Sequence, residues 1–279
     1  MKTSILVTVL GLAAAALVFA QPESWQEDGL QGKVKSVAVE RAEILRRAGA
    51  VSEARRRPVQ TARYTPTGEK TEELHFSSSG LLLWTFHFAY DSQGERTSTE
   101  CRLASGQMSL KLVYTYSTAG LKATSATFGA DGSLQEQSVY GYDARGRNIE
   151  IGHFASDGSS LGKWVYSYDS NGHPREWIAY DSNSAISEDS AYTYDNEGRL
   201  RVSEQYGATN ALERRSTYDF QGNETGAEKY SADGSLVWKR QYEYSFDAAG
   251  NWIRKVTKEL QGNGEYVPVE VEYRSIEYY

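Results

Sequence analysis

The chain has 279 residues, with 30 Lys and Arg against 37 Asp and Glu, and its formal charge of −7 argues against a protein that coats nucleic acid. Cys101 is the only cysteine, so no intramolecular disulfide can brace the fold, and stability has to come from packing and strand pairing. The four histidines, His75, His87, His153 and His173, share no common spacing, which excludes a metal centre or catalytic triad built by repetition.

Residues 1–20 read as a secretory leader: Lys2, an uncharged run from Ile5 to Leu17, then Val18-Phe19-Ala20 before Gln21-Pro22. Cleavage after Ala20 predicts a secreted or periplasmic protein with no membrane span once the leader is removed. Residues 21–59 read as a terminal cap, with a strand near Val34 to Val39 and a charged excursion over 41–57 that has some helical potential. Arg46, Arg47, Arg55, Arg56 and Arg57 fall in that excursion, but no aromatic stacking partners lie among them, so they read as a solvated loop.

From residue 60 to 279 the chain repeats. Gly94, Gly120, Gly146, Gly172 and Gly198 follow one another at intervals of 26 residues, with Gly80, Gly222 and Gly250 continuing the series at other spacings. Six and four residues before the glycines stand aromatic pairs such as Tyr114 and Tyr116, Tyr140 and Tyr142, Tyr166 and Tyr168, and Tyr192 and Tyr194. Alternate residues of a strand share a face, so each pair lies on one face of a strand and the polar residues between them lie on the other. Asp143-Ala-Arg-Gly146, Asp169-Ser-Asn-Gly172 and their equivalents are Asp-x-x-Gly turns, in which the carboxylate accepts backbone N–H bonds and glycine takes the left-handed conformation. They lack the alternating acids and distal glutamate of a calcium loop, so turn formation, not metal binding, accounts for them. A third aromatic, such as Phe128, Phe154 or Tyr180, ends the returning strand before a second turn of the Asp131-Gly132 type. The fold predicted is all-β: repeated antiparallel hairpins forming one continuous curved meander sheet. The alternation Val267-Pro-Val269-Glu-Val271 reads as its closing edge strand.

The strings Tyr192-Thr-Tyr-Asp-Asn-Glu-Gly-Arg-Leu200 and Tyr140-Gly-Tyr-Asp-Ala-Arg-Gly-Arg147 resemble the signature of YD-repeat, Rhs-like proteins over roughly residues 60 to 255. That resemblance implies a strip of hairpins which, in long members, spirals into a shell around a toxic segment, and it carries a proposal of carbohydrate binding for some members. This chain has too few copies for such a shell and no Asp-Pro step for self-cleavage, so it looks more like the small stand-alone secreted members that lack a toxin domain.

The function expected is that of a secreted or periplasmic binding or interaction protein, contacting a polysaccharide or an envelope or extracellular protein through its aromatic face. The alternatives are an envelope structural or assembly part that associates through sheet edges, and a glycan-acting enzyme using two carboxylates. No cofactor, metal or nucleic-acid partner is expected, and no catalytic residue: no G-x-S-x-G string occurs, and turns account for the recurring aspartates. Trp84, Trp177 and Trp252 break the pattern and are the candidate ligand-binding residues.

Overall fold

Alternation and turn chemistry repeated along the chain leave it almost no choice but antiparallel pairing, and that is what it does. The computed structural model describes residues 24–47 and 50–279, so the expected leader lies outside the described residues. Its strands are β1 (Val34–Arg47), β2 (Ala50–Glu53), β3 (Arg57–Tyr64), β4 (Lys70–Phe76), β5 (Leu82–Tyr90), β6 (Arg96–Leu103), β7 (Met108–Tyr116), β8 (Lys122–Gly129) and β9 (Leu134–Tyr142). They continue as β10 (Asn148–Ala155), β11 (Ser160–Tyr168), β12 (Pro174–Asp181), β13 (Ile186–Tyr194), β14 (Leu200–Gly207), β15 (Leu212–Tyr218), β16 (Glu224–Tyr230), β17 (Leu236–Phe246), β18 (Trp252–Leu260) and β19 (Tyr266–Tyr278).

From β3 to β19 each strand pairs with the next, and β1 then pairs with both β19 and β3. The sheet therefore closes into an antiparallel barrel of 18 strands, with β2 as an extra strand on β1. The expectation of an open curved meander is corrected here. Val271 lies opposite Ala42 and Val256 opposite Val271, so the segment read as an edge strand is the seam that shuts the cylinder. The excursion over 41–57 is likewise mostly strand among the described residues, because β1 runs on to Arg47 and β2 pairs back along it. Closure removes the two open edges that a meander would expose, which is reason enough for a sheet of this length to seal itself.

The turns fold as their sequence requires. Asp143 N donates to Arg147 O at 2.9 Å and Gly146 N to Asp143 O at 3.0 Å, while Asp143 Oδ1 accepts Arg145 N and Arg147 N, each at 2.9 Å. Arg147 adds a charged clasp to Asp143 Oδ2 at 2.6 Å. Gly146 sits at φ +77°, where a β-branched side chain is strained. Gly146→Val is expected to cost on the order of 1–2 kcal/mol, and Gln137→Ala, on the solvated face, less than about 0.5 kcal/mol; coincident urea midpoints for the two variants would contradict this.

Each turn is followed by a register shift, and the second aromatic of each pair spans it. The phenols of Tyr90, Tyr116, Tyr142, Tyr168 and Tyr244 donate to the carbonyls of Lys70, Arg96, Lys122, Asn148 and Glu224, at 2.8, 2.9, 2.8, 2.6 and 2.8 Å. Each of these five carbonyls belongs to the residue at the register shift of the preceding hairpin, so the phenol of one copy caps the bulge of the copy before it.

The aromatic face is the more buried one: Ile151, Tyr166, Trp177, Ser190, Ser216 and Thr257 all lie on it and are buried. On a closed cylinder the concave side is where side chains converge, so this face lines the interior. Eighteen strands tilted about 40° make a cylinder roughly 35 Å across. Among the described residues, extensive backbone contact joins only strands that are neighbours in the sheet. The outer wall carries ion pairs such as Lys111–Glu100 at 3.0 Å, Lys163–Glu150 at 2.8 Å and Lys239–Glu228 at 2.6 Å. A Lys or Arg on a lipid-facing wall costs about 2–4 kcal/mol at the bilayer midplane, so this charged wall suits water, not acyl chains.

Candidate functional site

The interior has two unlike walls. From β15 through β19 to β1 it is ionic: Arg214 pairs with Glu224 at 2.7 Å, Arg240 with Glu259 at 2.8 Å, and Arg41 with Glu272 at 2.8 Å, with Lys255 also on Glu272 at 3.5 Å. From β9 to β13 it is aromatic. Here Ile151, Tyr166, Trp177 and Ala179 form a buried cluster flanked by Tyr140, Trp164, Tyr168 and Tyr192. Register explains the assembly: two adjacent inward rows, one of Tyr140, Ile151, Trp164 and Ala179 and the next of Tyr166, Trp177 and Ser190, lie side by side.

At position 162 the chain departs from its pattern in a way that shapes this wall. The equivalent inward residues of other copies are Trp84, Leu110, Glu136 and Glu188, whereas here there is Gly162, between His153 on β10 and Asp181 on β12. The ring of His153, opposite Gly162, has its centroid 4.5 Å from that of Trp164. Asn148, one strand end away and only 9% exposed, has no protein hydrogen bond to either amide atom, and His153 Nε2 is likewise unpaired. Buried polar groups left this way cost about 1–3 kcal/mol each, so the wall presents an unmet demand for hydrogen bonds.

At the end of the barrel that carries the Asp-x-x-Gly turns, this wall opens into a cleft of about 430 Å³ between two consecutive turns, lined by Asp169, His173, Arg175, Tyr192, Tyr194 and Asn196 among others. His173 lies over Tyr194 with ring centroids 4.9 Å apart and planes at 25°, and its Nδ1 is 3.1 Å from Asp169 Oδ2. Tyr192 belongs to both cleft and wall, which makes them one surface. Burial, with Tyr192 and Asp169 nearby, pushes the Tyr194 phenol up to about 12, so it stays a neutral hydrogen-bonding group.

The three tryptophans expected to bind ligand are not brought together; they stand on β5, β12 and β18, none of them neighbours. Trp177 is 4% exposed and edge-on to Trp164 at 5.9 Å, so its ring is occupied in packing. Trp84 lies against His75 at 5.9 Å, and the Arg274 guanidinium covers Trp252 at 3.7 Å. The cleft residues were legible only one by one: His173 follows the turn glycine where other copies have Arg147, Arg199 or Asn223, and that substitution is the signal that marks it. A serine, a histidine and a glutamate do meet on this wall, but Ser138 Oγ and Glu136 Oε1 both approach His153 Nδ1, each at 3.1 Å. A nucleophile–base–acid relay needs its partners on opposite ring nitrogens, so this trio cannot work as one.

A family model described only as an uncharacterised protein matches residues 151–274, less than half of the chain. No curated protein matches the sequence. Among solved structures, a porin-like protein from Bacteroides uniformis is 13% identical, with a TM-score of 0.46 over 89% of this chain and 98% of its own. A porin-like protein from Bacteroides vulgatus is 10% identical, with a TM-score of 0.32 over 88% and 99%. The Photorhabdus luminescens Tc holotoxin pore is 13% identical, with a TM-score of 0.21 over 79% of this chain and 17% of its own. Scores this low carry no argument about architecture, which rests on the strand pairing itself. The YD-repeat, Rhs-like assignment is corrected on two findings: the matching family model is not a YD-repeat model, and the hairpins close on themselves as a barrel.

Proposed function

We propose that this chain is an envelope-associated β-barrel that binds a polyhydroxylated ligand, such as a segment of polysaccharide, at its mouth and along its inner aromatic wall. The observation that carries the reading is the continuity of the cleft at His173 and Tyr194 with the wall of Tyr192, Tyr166 and Trp164. Half-buried rings offer faces to the apolar side of a sugar, while Asn148, Asn196 and Arg175 supply donors and acceptors for its hydroxyls. Placement in the envelope is supported by the leader-like residues 1–20 and is in keeping with the porin-like neighbours. The competing reading, self-assembly through sheet edges, is left with only the four-residue edge of β2 once the barrel closes.

Binding is tested on a glycan array with the purified chain, followed by titration of the strongest binder. Tyr194→Ala and His173→Ala are each expected to weaken that affinity by about 2- to 10-fold, the worth of one aromatic contact. Absence of any glycan binding, or binding that neither substitution alters, would overturn the proposal.

A further inference from the structure

At the opposite end of the barrel one arc differs from the rest of the rim. The β1–β2 hairpin runs past the β1–β3 ladder there and rests on β19: the last β1–β3 pair is Arg41 with Arg57, the four β1–β2 pairs lie beyond it, Arg56 covers the Tyr273 ring at 3.4 Å, and Arg46 donates to Pro268 O at 3.3 Å. Along its outer edge β2 pairs with nothing among the described residues. Arg46, Arg47, Arg55, Arg56 and Arg57 are all exposed on or beside this hairpin. Two neighbouring turns are joined to it, through Arg57 Nη1 donating to Ser78 O at 2.8 Å and Ala104 N to Leu83 O at 3.1 Å. Those turns, Ser77–Gly80 and Leu103–Gly106, carry no charge. Across the arc, four aliphatic side chains stand open to solvent: Val51 at 56%, Leu81 at 69%, Leu83 at 37% and Leu103 at 40%. The one acid of β2, Glu53, is taken by the Tyr273 hydroxyl at 2.7 Å. Elsewhere on the same rim three turn tips are acidic, at Asp131, Asp157 and Asp233, while those at Gly207–Asn210 and Gln261–Gly264 carry no charge and none carries an arginine.

We propose that this arc is a docking surface for an anionic lipid bilayer. Charge complementarity decides the partner's sign, since five exposed arginines outnumber the two acids of this stretch, Glu43 and Glu53, on a chain whose formal charge is −7. Shape decides its kind: the arc is a hairpin end and two turn tips, and neither the cleft at Asp169 to Asn196 nor that at Arg215 to Glu243 includes it. A peptide is held in a groove or added to a long free edge, whereas a convex tip carrying aliphatic side chains ringed by arginine suits a planar interface. The apolar layer is one side chain deep and the wall above it carries Glu72, Glu100 and Lys111, so the contact reaches the headgroup level and stops there. The inference goes beyond ligand binding at the inner wall and stands whether or not that binding occurs.

The test is co-sedimentation of the purified chain with vesicles of phosphatidylcholine alone and of phosphatidylcholine with 30% phosphatidylglycerol. Binding is expected to the second only, and to fall with added salt. Arg47→Gln and Arg55→Gln, chosen because they break no hydrogen bond of the hairpin, should each lower the partition coefficient about fivefold. Leu81→Ser with Leu83→Ser should lower it comparably, with the circular dichroism melt unchanged. No binding to either vesicle, or binding that survives all four substitutions, overturns the proposal. Binding to polyglutamate but not to vesicles does so too, and assigns the arc to an acidic protein partner.

Discussion

Replacing Gly162 with alanine is expected to be the most damaging small change in the barrel. Its φ is +126°, a region that only glycine occupies at low cost, and a Cβ added there would stand 2.1 Å from the carbonyl oxygen of Tyr180 and 3.1 Å from the carbonyl carbon of Asp181. Both are backbone atoms of β12, so no rotamer change relieves the clash and the β11–β12 ladder has to open. The conformational strain of about 1–3 kcal/mol and the loss of one or two ladder hydrogen bonds at about 1 kcal/mol each give a destabilisation on the order of 3–5 kcal/mol. Urea denaturation measures it directly. A midpoint for Gly162→Ala equal to that of Gly146→Ala would refute the close approach, because position 146 has the turn strain and no backbone contact nearer than an ordinary one.

Gly162 also marks where reading the sequence stops. The turn glycines are legible because an aspartate precedes them at a fixed distance and the interval repeats, so each hairpin follows from local chemistry. Gly162 has no such partners in the chain; its reason for being glycine is a strand that only folding brings beside it. Closure was hidden in the same way. Tyr90, Tyr116 and Tyr142 specify strand after strand, but whether the last strand meets the first depends on curvature accumulated over the whole sheet, which no single copy contains. The candidate site shows both sides of this limit. Its aromatic wall was legible as a shared face, while the cleft at His173 and Tyr194 arises between turns of successive copies. Trp84, Trp177 and Trp252 stand apart on β5, β12 and β18, because breaking a pattern says nothing about which strands become neighbours.

Closure changes what the repeats can tolerate. In an open array each unit touches only its neighbours, so removing one shortens the array and leaves the rest standing. Here deletion of a hairpin would leave β1 and β19 to meet over a cylinder two strands narrower, with every residue of the ionic wall displaced against the aromatic one. Function and stability are therefore not divisible by copy, and single substitutions such as those at Gly162, His173 and Tyr194 are the informative probes.

The second large effect is expected at Lys70, which fastens the N-terminal segment into the mouth. Trp25 and Leu30 of that segment pack on Val34, Val37, Ala62 and Tyr64. Beside them Lys70, 6% exposed, pairs with Asp28 at 2.9 Å and Glu73 at 2.6 Å, Tyr64 donates to Asp28 at 2.5 Å, and Glu73 reaches His75 Nε2 at 2.5 Å. Burial opposes ionisation of Glu73, but the hydrogen bond to His75 and the charge and hydrogen bond of Lys70 outweigh it and hold the carboxyl at about 2. A carboxyl whose folded value lies below its unfolded one contributes stability at higher pH, and that contribution is lost on acidification. The contribution is whole above the ordinary carboxylate value near 4.5 and drains away as the pH falls toward 2. Lys70→Met should cost about 3–5 kcal/mol at neutral pH, because it strands two acids where burial makes charge expensive. The same variant should raise the Glu73 value, so that its remaining acid dependence moves to higher pH. Thermal melts from pH 2 to 7, with limited proteolysis of residues 24–33 as a local readout, distinguish this from generic weakening. If Lys70→Met melts within about 2 °C of the unaltered chain at pH 7, a shift worth less than about 1 kcal/mol, the buried network does not hold the segment.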